Sequence, residues 1–278
     1  MPIAGRGWMG ADRPADLLLI AHGSRDRALQ ADALETHAHA LRQKGAFGRV
    51  ATGYLLGGPG PAEALQSLDA PCVFIVPHFM SAGYFAQTAV PAALGLEGWP
   101  PPGLTADPGL GGQVVQRPGR DGRPQRLCYC PPTGSHPDLH QVGRRLSLAA
   151  CAAAGLAPGR TGLLVIGHGT ARDPASAAAT HRQAERLAEP GDFALVRAAF
   201  LEQAPRPTAA LADMAAEEII VLGLFAGLGR HGGEDLPALA GPAAARGQRL
   251  HFAGIIGQDA AMAELILDLI RRTQAALP

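Results

Sequence analysis

Three residues spread along the 278-residue chain carry side chains that suit one another: His168, Glu202 and His231. Two imidazoles and a carboxylate form a donor set for a borderline divalent cation such as Co2+, Fe2+, Ni2+ or Zn2+. A neutral imidazole, with an ordinary pKa near ~6.5, can ligate a metal or accept a proton at cellular pH. Glu234 and Asp235 stand beside His231, where they could attract a hydrated cation or hold an imidazole in orientation. Each residue also has a plainer use. A strand-end histidine is often a hydrogen-bonded structural residue, Glu202 alone would be a solvated carboxylate, and Glu234-Asp235 would suit a helix N-terminus. What favours a site is that each of the three ends or follows its own apolar run: LLVIGH at 163–168, VRAAFLE at 196–202 and IIVLGLFAGLGRH at 219–231.

Those runs belong to a pattern written twice. LLLIAHGSRD at 17–26 returns as LLVIGHGTARD at 163–173, and an offset of 146 carries Val50, Tyr54 and Leu55 onto Val196, Phe200 and Leu201. The same offset carries Pro61 onto Pro207, Ala64-Leu65 onto Ala210-Leu211, Gly83 onto Gly229 and Pro91 onto Pro237. One residue of slack after each His-Gly is the only gap needed. A self-similarity of this length marks a tandem duplication.

Each half alternates short apolar runs with helical segments, the signature of a parallel sheet covered on both faces. In the second half, strands are expected at 162–168, 193–201, 218–224 and 249–255. Helices are expected at 174–189, after Pro205 or Pro207, after Gly232-Gly233 and at 259–273, with Asp173-Pro174 as a good N-cap and first-turn pair. The expected fold is α/β, with two tandem lobes that are each a four-stranded parallel sheet flanked by helices. The first lobe spans 16–155, closing on a helix at 137–154, and the second spans 161–278. The first alone carries a Pro/Gly-rich insert at about 95–126, which reads as a lid or a disordered loop. In such sheets ligands bind at the carboxyl ends of the strands, so topology would bring His168, Glu202 and His231 to one edge.

The first half keeps the frame and loses most of the polar set. His22 matches His168, but Leu56 stands for Glu202, Phe85 for His231 and Thr88-Ala89 for Glu234-Asp235. His78, in PHFM, adds an imidazole with no counterpart, either a further site residue or a satisfied core histidine.

Bulk composition bounds the function classes. Lys+Arg and Asp+Glu are each 24, with no basic block of the kind nucleic-acid binders carry. The apolar runs stop well short of the ~20 residues that span a bilayer. Residues 1–15 lack the apolar core of a signal peptide and read as a flexible tail, so the expected location is cytoplasmic. Cys72, Cys128, Cys130 and Cys151 form no C-x-x-C pair. Alternation along a strand would put Cys128 and Cys130 on one face, as buried small residues or as an iron–sulfur or redox pair.

The ordered set resembles the class II tetrapyrrole chelatases, and most closely the CbiX-type sirohydrochlorin cobaltochelatases of vitamin B12 (cobalamin) biosynthesis. The resemblance rests on the two strand–His-Gly-Ser/Thr openings, on RAAFLEQAPRP at 197–207 and on the G-x-H-x-x-x-D-x-P element at 229–237. PPTGSHPDLHQVGRRL at 131–146 adds to it. It implies a lyase that inserts a metal into sirohydrochlorin, with two α/β lobes across a cleft and active-site histidines at His168 and His231. The metal would be substrate, Co2+ with Fe2+ or Ni2+ as alternatives, and no organic cofactor is expected. No Gly-x-x-x-x-Gly-Lys-Ser/Thr loop is present, so the reaction should need no ATP. The substrate's carboxylates call for basic residues, for which Arg25, Arg172 and Arg230 are the candidates. No nucleic-acid or membrane partner is expected; a monomer suffices and a dimer stays open. The competing readings are a sirohaem ferrochelatase and a non-catalytic metal or tetrapyrrole carrier. A histidine phosphatase is disfavoured, because Arg230-His231-Gly232 does not follow the first strand of its half.

Overall fold

A computed structural model describes residues 14–24, 33–96, 113–119, 122–170, 173–227 and 234–277. Among them no helix is long and apolar enough to cross a membrane. The chain forms two compact units, each built on its own sheet.

The first sheet joins β1 (Asp16–Gly23), β2 (Val50–Leu56), β3 (Cys72–Pro77), β4 (Gln113–Pro118) and β5 (Pro124–Tyr129) in the order β2-β1-β3-β5-β4. All pairings are parallel except that of β4 with β5. Part of the insert therefore folds as the outer arm of an antiparallel hairpin, which gives this sheet a fifth strand where four were expected. The rest of the insert, 97–112, lies outside the described residues. The second sheet is four-stranded and parallel, with β6 (Gly162–Gly167), β7 (Leu195–Phe200), β8 (Glu218–Leu224) and β9 (Arg249–Ile255) in the order β7-β6-β8-β9. Its centre is buried on both faces: every residue of β6 is buried, as near-continuous apolar runs require.

The duplication is visible in the ladders. Ile20 lies opposite Gly53 and Pro77, and Ile166 lies opposite Ala199 and Gly223, each pair related by the offset of 146. It is visible in a buried side chain too. Gln125 donates to the carbonyls of Leu68 and Ala70 at 3.2 and 3.0 Å, and Gln248 donates to those of Met214 and Ala216 at 3.0 and 3.4 Å. Each amide ties the loop before one strand to the start of the next, where backbone carbonyls would otherwise be left without donors.

The helices divide differently from the sequence halves. The first unit holds the described residues up to Phe79, those from Phe85 to Thr133 and those from Ala263 onward; the second holds Met80–Tyr84 and Gly134–Met262. Helix α8 (Met262–Ala276) thus ends the second half of the sequence but packs in the first unit. Its Ala263, Ile266, Leu267 and Ile270 repeat at helical spacing and join Leu17, Leu19, Phe74 and Val76 in one core. Helix α4 (Leu139–Ala153), its counterpart, packs in the second unit on β8, β9 and α5 (Pro174–Ala188). A Cβ on Gly143 of α4 would stand 3.0 Å from Leu222 and 3.2 Å from Ile256, so the helix lies close on that sheet. Relative to the repeat in the sequence, the packed units thus exchange their last helices. The remaining helices stay with their own half: α1 (Ala33–Gln43), α2 (Pro61–Gln66) and α3 (Val90–Ala93) in the first unit, α6 (Pro207–Ala212) and α7 (Ala240–Ala244) in the second.

The cysteines are settled by burial. All four are buried free thiols. Cys128 and Cys130 share a core with Cys72, while Tyr129 between them faces the opposite core, as strand alternation requires. Cys72 and Cys128 lie 3.7 Å apart through their sulfurs. The hydrogen bond between them and burial push the Cys72 thiol well above its ordinary range, and burial does the same to Cys130. All four cysteines are buried, out of reach of a substrate or a hydrated metal, so they are packing residues.

Candidate active site

His168 follows β6 and Glu202 follows β7, and two backbone hydrogen bonds carry the ladder past the ends of both strands. Leu201 N–H donates to the Gly167 carbonyl at 3.1 Å, and Glu202 N–H donates to the His168 carbonyl at 3.0 Å. Register alone therefore places the two side chains together, with His168 Nε2 3.3 Å from Glu202 Oε1. Their side chains are 41% and 53% exposed, open enough to receive a ligand.

Small residues make room for this arrangement. Gly169 has φ of +62°, and a Cβ there would stand 2.6 Å from the Phe200 Cβ and 2.8 Å from Gln203 Cγ. Its N–H donates to Ser176 Oγ on α5 at 3.2 Å, which ties the turn after His168 to the helix. A Cβ on Gly167 would fall 2.0 Å from Thr180 Oγ1, so strand and helix touch where the strand delivers His168. Phe200, the residue opposite Gly167, meets His181 of α5 edge-on at 5.1 Å between centroids.

Asp173 caps α5, as Asp173-Pro174 led one to expect. Its Oδ1 accepts from Ala175 N–H at 2.9 Å and its Oδ2 accepts from Tyr84 N–H at 2.6 Å. The second bond was not legible in the sequence, since Tyr84 lies in the other half of the repeat. Ser176 and Thr180 were missed as well; the only signal was the small, polar composition of one turn of α5.

The remaining expected residues fall in three groups. Glu234 is exposed and Asp235 half-buried, both just ahead of Leu236, which is buried. His231, Arg230, Arg172 and Arg25 lie outside the described residues. In the first unit, His22 ends β1 exposed, its Nδ1 3.1 Å from the Gly23 carbonyl, and its ring meets Phe85 edge-on at 4.9 Å. His78 takes the core alternative. It is 1% exposed, its Nδ1 lies 3.1 Å from Thr133 Oγ1, and its ring meets the buried His37 at 5.3 Å. A hydrated cation has no access to such a ring.

A strand-end imidazole beside a carboxylate, presented at the carboxyl edge of a parallel sheet in a chain duplicated in sequence and register, narrows the family. The model of the CbiX family matches residues 16–147 and again residues 162–273. The chain belongs to the CbiX family. A probable sirohydrochlorin cobaltochelatase of Halobacterium salinarum is 28% identical over 280 residues, covering 94% of this chain and 92% of the relative. Among solved structures, a multi-domain protein of Deinococcus radiodurans, described as similar in structure to chelatases but with two additional novel domains, superposes with a TM-score of 0.77 at 27% identity. The match covers 93% of this chain, which spans 55% of that protein. CbiX described as the terminal enzyme for biosynthesis of siroheme in denitrifying bacteria superposes with a TM-score of 0.65 at 28% identity, over 95% of this chain and all of its own length.

Proposed function

We propose that this CbiX-family chain is a metal chelatase that inserts Co2+ into sirohydrochlorin without ATP, and that the second half of its sequence carries the site. The observation that bears most weight is the His168–Glu202 pair, 3.3 Å apart at two adjacent strand ends, set against His22 and Leu56 at the corresponding places. The name of the Halobacterium relative supports the same substrate and metal.

The reaction exchanges one dication for two pyrrole protons while the metal sheds its water. A neutral imidazole can take either the metal or a proton, and a carboxylate alongside offsets the charge of whichever arrives. His168 and Glu202 supply those two groups. His231, one strand over in sequence order, supplies the second imidazole, with Glu234 and Asp235 as delivery carboxylates. Arg172, Arg230 and Arg25 are assigned to the substrate's carboxylates, and His22 to a secondary role.

The siroheme role of the CbiX from denitrifying bacteria favours a second reading, iron insertion for sirohaem, and an imidazole–carboxylate set does not separate Fe2+ from Co2+. The deciding experiment follows the visible spectrum of sirohydrochlorin anaerobically with Co2+, Fe2+ or Ni2+. Wild type should convert the pigment fastest with Co2+. His168→Ala and His231→Ala should fall to near-background rates, and His22→Ala should lose less. If His22→Ala alone abolishes turnover, the first half carries the site. If wild type binds the pigment and accelerates insertion of none of the metals, a tetrapyrrole carrier replaces the enzyme.

A further inference from the structure

At the sequence positions that correspond to the second half's polar set, the first half carries apolar side chains. Phe85 occupies the place that corresponds to His231, and Leu56 the place of Glu202. The correspondence holds at the strand ends, where Tyr54 lies opposite Ala21 just as Phe200 lies opposite Gly167. The Phe85 ring is parallel to that of Phe79, with 5.7 Å between centroids and 6° between planes. His22 meets it edge-on, at 4.9 Å and 86°. Phe79 is buried and anchors the group, whereas Phe85 is 42% exposed. A ring held by two neighbours, with much of its surface in water at a ligand-binding edge, is preorganised for a flat partner.

We propose that Phe85, braced by Phe79 and His22, is a stacking residue for the conjugated ring of a tetrapyrrole. The proposal rests on the chelatase reading and adds a residue that holds the macrocycle rather than the metal. The chemistry selects the ligand. Phe and Leu offer no donor to a hydrated dication, while the apolar face of a macrocycle gains contact and loses water against them. The first half has exchanged a metal-binding edge for a ring-binding one.

The test titrates metal-free sirohydrochlorin into the intact protein with no metal present and follows the pigment's fluorescence. Phe85→Ala should raise the Kd about tenfold, Phe85→Leu should raise it less, and Phe85→Trp should stay near wild type. In turnover, Phe85→Ala should raise the KM for the tetrapyrrole by a similar factor, with the KM for Co2+ unmoved and kcat within about twofold. Circular dichroism and the thermal midpoint of each variant confirm that it folds. Equal pigment affinity in wild type and Phe85→Ala would overturn the proposal while wild-type turnover leaves the chelatase reading standing. A Phe85→Leu variant that matches wild type would also overturn it, since bulk rather than stacking would then suffice. If wild type neither binds nor converts the pigment, it is the chelatase reading that fails.

Discussion

His78 follows β3 as directly as His168 follows β6, yet one ring is 1% exposed against Thr133 and the other stands open beside Glu202. The difference comes from the neighbours. Thr133 returns to His78 from the segment after β5, whereas His168 has Glu202 beside it at the next strand end and keeps a 41% exposed side chain. Substitution separates the two roles. His78→Ala deletes a packed ring and the shorter of two hydrogen bonds of the Thr133 hydroxyl, leaving the 3.4 Å one to the Phe79 carbonyl, at a cost of about 1–3 kcal/mol. Its thermal midpoint should fall, while the rate of metal insertion, measured well below that midpoint, should stay near wild type. His168→Ala should do the reverse, with a near-normal midpoint and little insertion. A folded His78→Ala protein with no insertion would place His78 among the working residues. Neither role was fixed by residue type or by position after a strand.

At the scale of elements, α4 is fastened to the second unit by a two-point ion pair. Arg144 Nε and Nη2 donate to the Asp192 carboxylate at 2.6 and 2.9 Å. The guanidinium holds the Asp192 carboxyl below its ordinary range. A carboxylate with a depressed folded pKa contributes stability that is complete above its unfolded value near ~3.9 and is lost as pH falls through the folded value. Asp192→Asn should therefore lower the urea midpoint at pH 7, and the gap from wild type should close as the pH drops below about 4. A gap that stays constant down to pH 3 would mean the pair contributes through packing instead. The elements themselves were largely legible. The apolar run at 218–224 is β8, the run at 249–255 is β9, and Asp173-Pro174 starts α5. β8 is buried on both faces and α5 is capped by its own Asp173, so their signals are local, while β9 is a half-exposed edge strand marked by its spacing in the repeat. β4 was not legible: QVVQRP sits among Pro and Gly, and what makes it a strand is its pairing with β5.

For the whole molecule, the exchange of α4 and α8 sets what each half of the sequence can do alone. The stripe of Ala263, Ile266, Leu267 and Ile270 announces that α8 must be buried, but not on which sheet, because the repeat offers two nearly equivalent faces. Strand-end pairing was readable from topology for the opposite reason: His168 and Glu202 depend only on the register of two adjacent strands. The exchange predicts a displaced effect. A chain ending at Asp259 keeps every strand of the second sheet and the described residues of that unit up to its last few. It removes Ile266, Leu269 and Ile270, each fully buried in the first unit. Leaving that face uncovered costs about 1.5–3 kcal/mol for each such side chain. Hydrogen exchange on the truncated protein should thus show protection lost in β1, β3 and β5 first, with β6 and β8 retaining theirs. Loss confined to the second sheet would show α8 acting within its own half, and the first unit would then have to close its core without it.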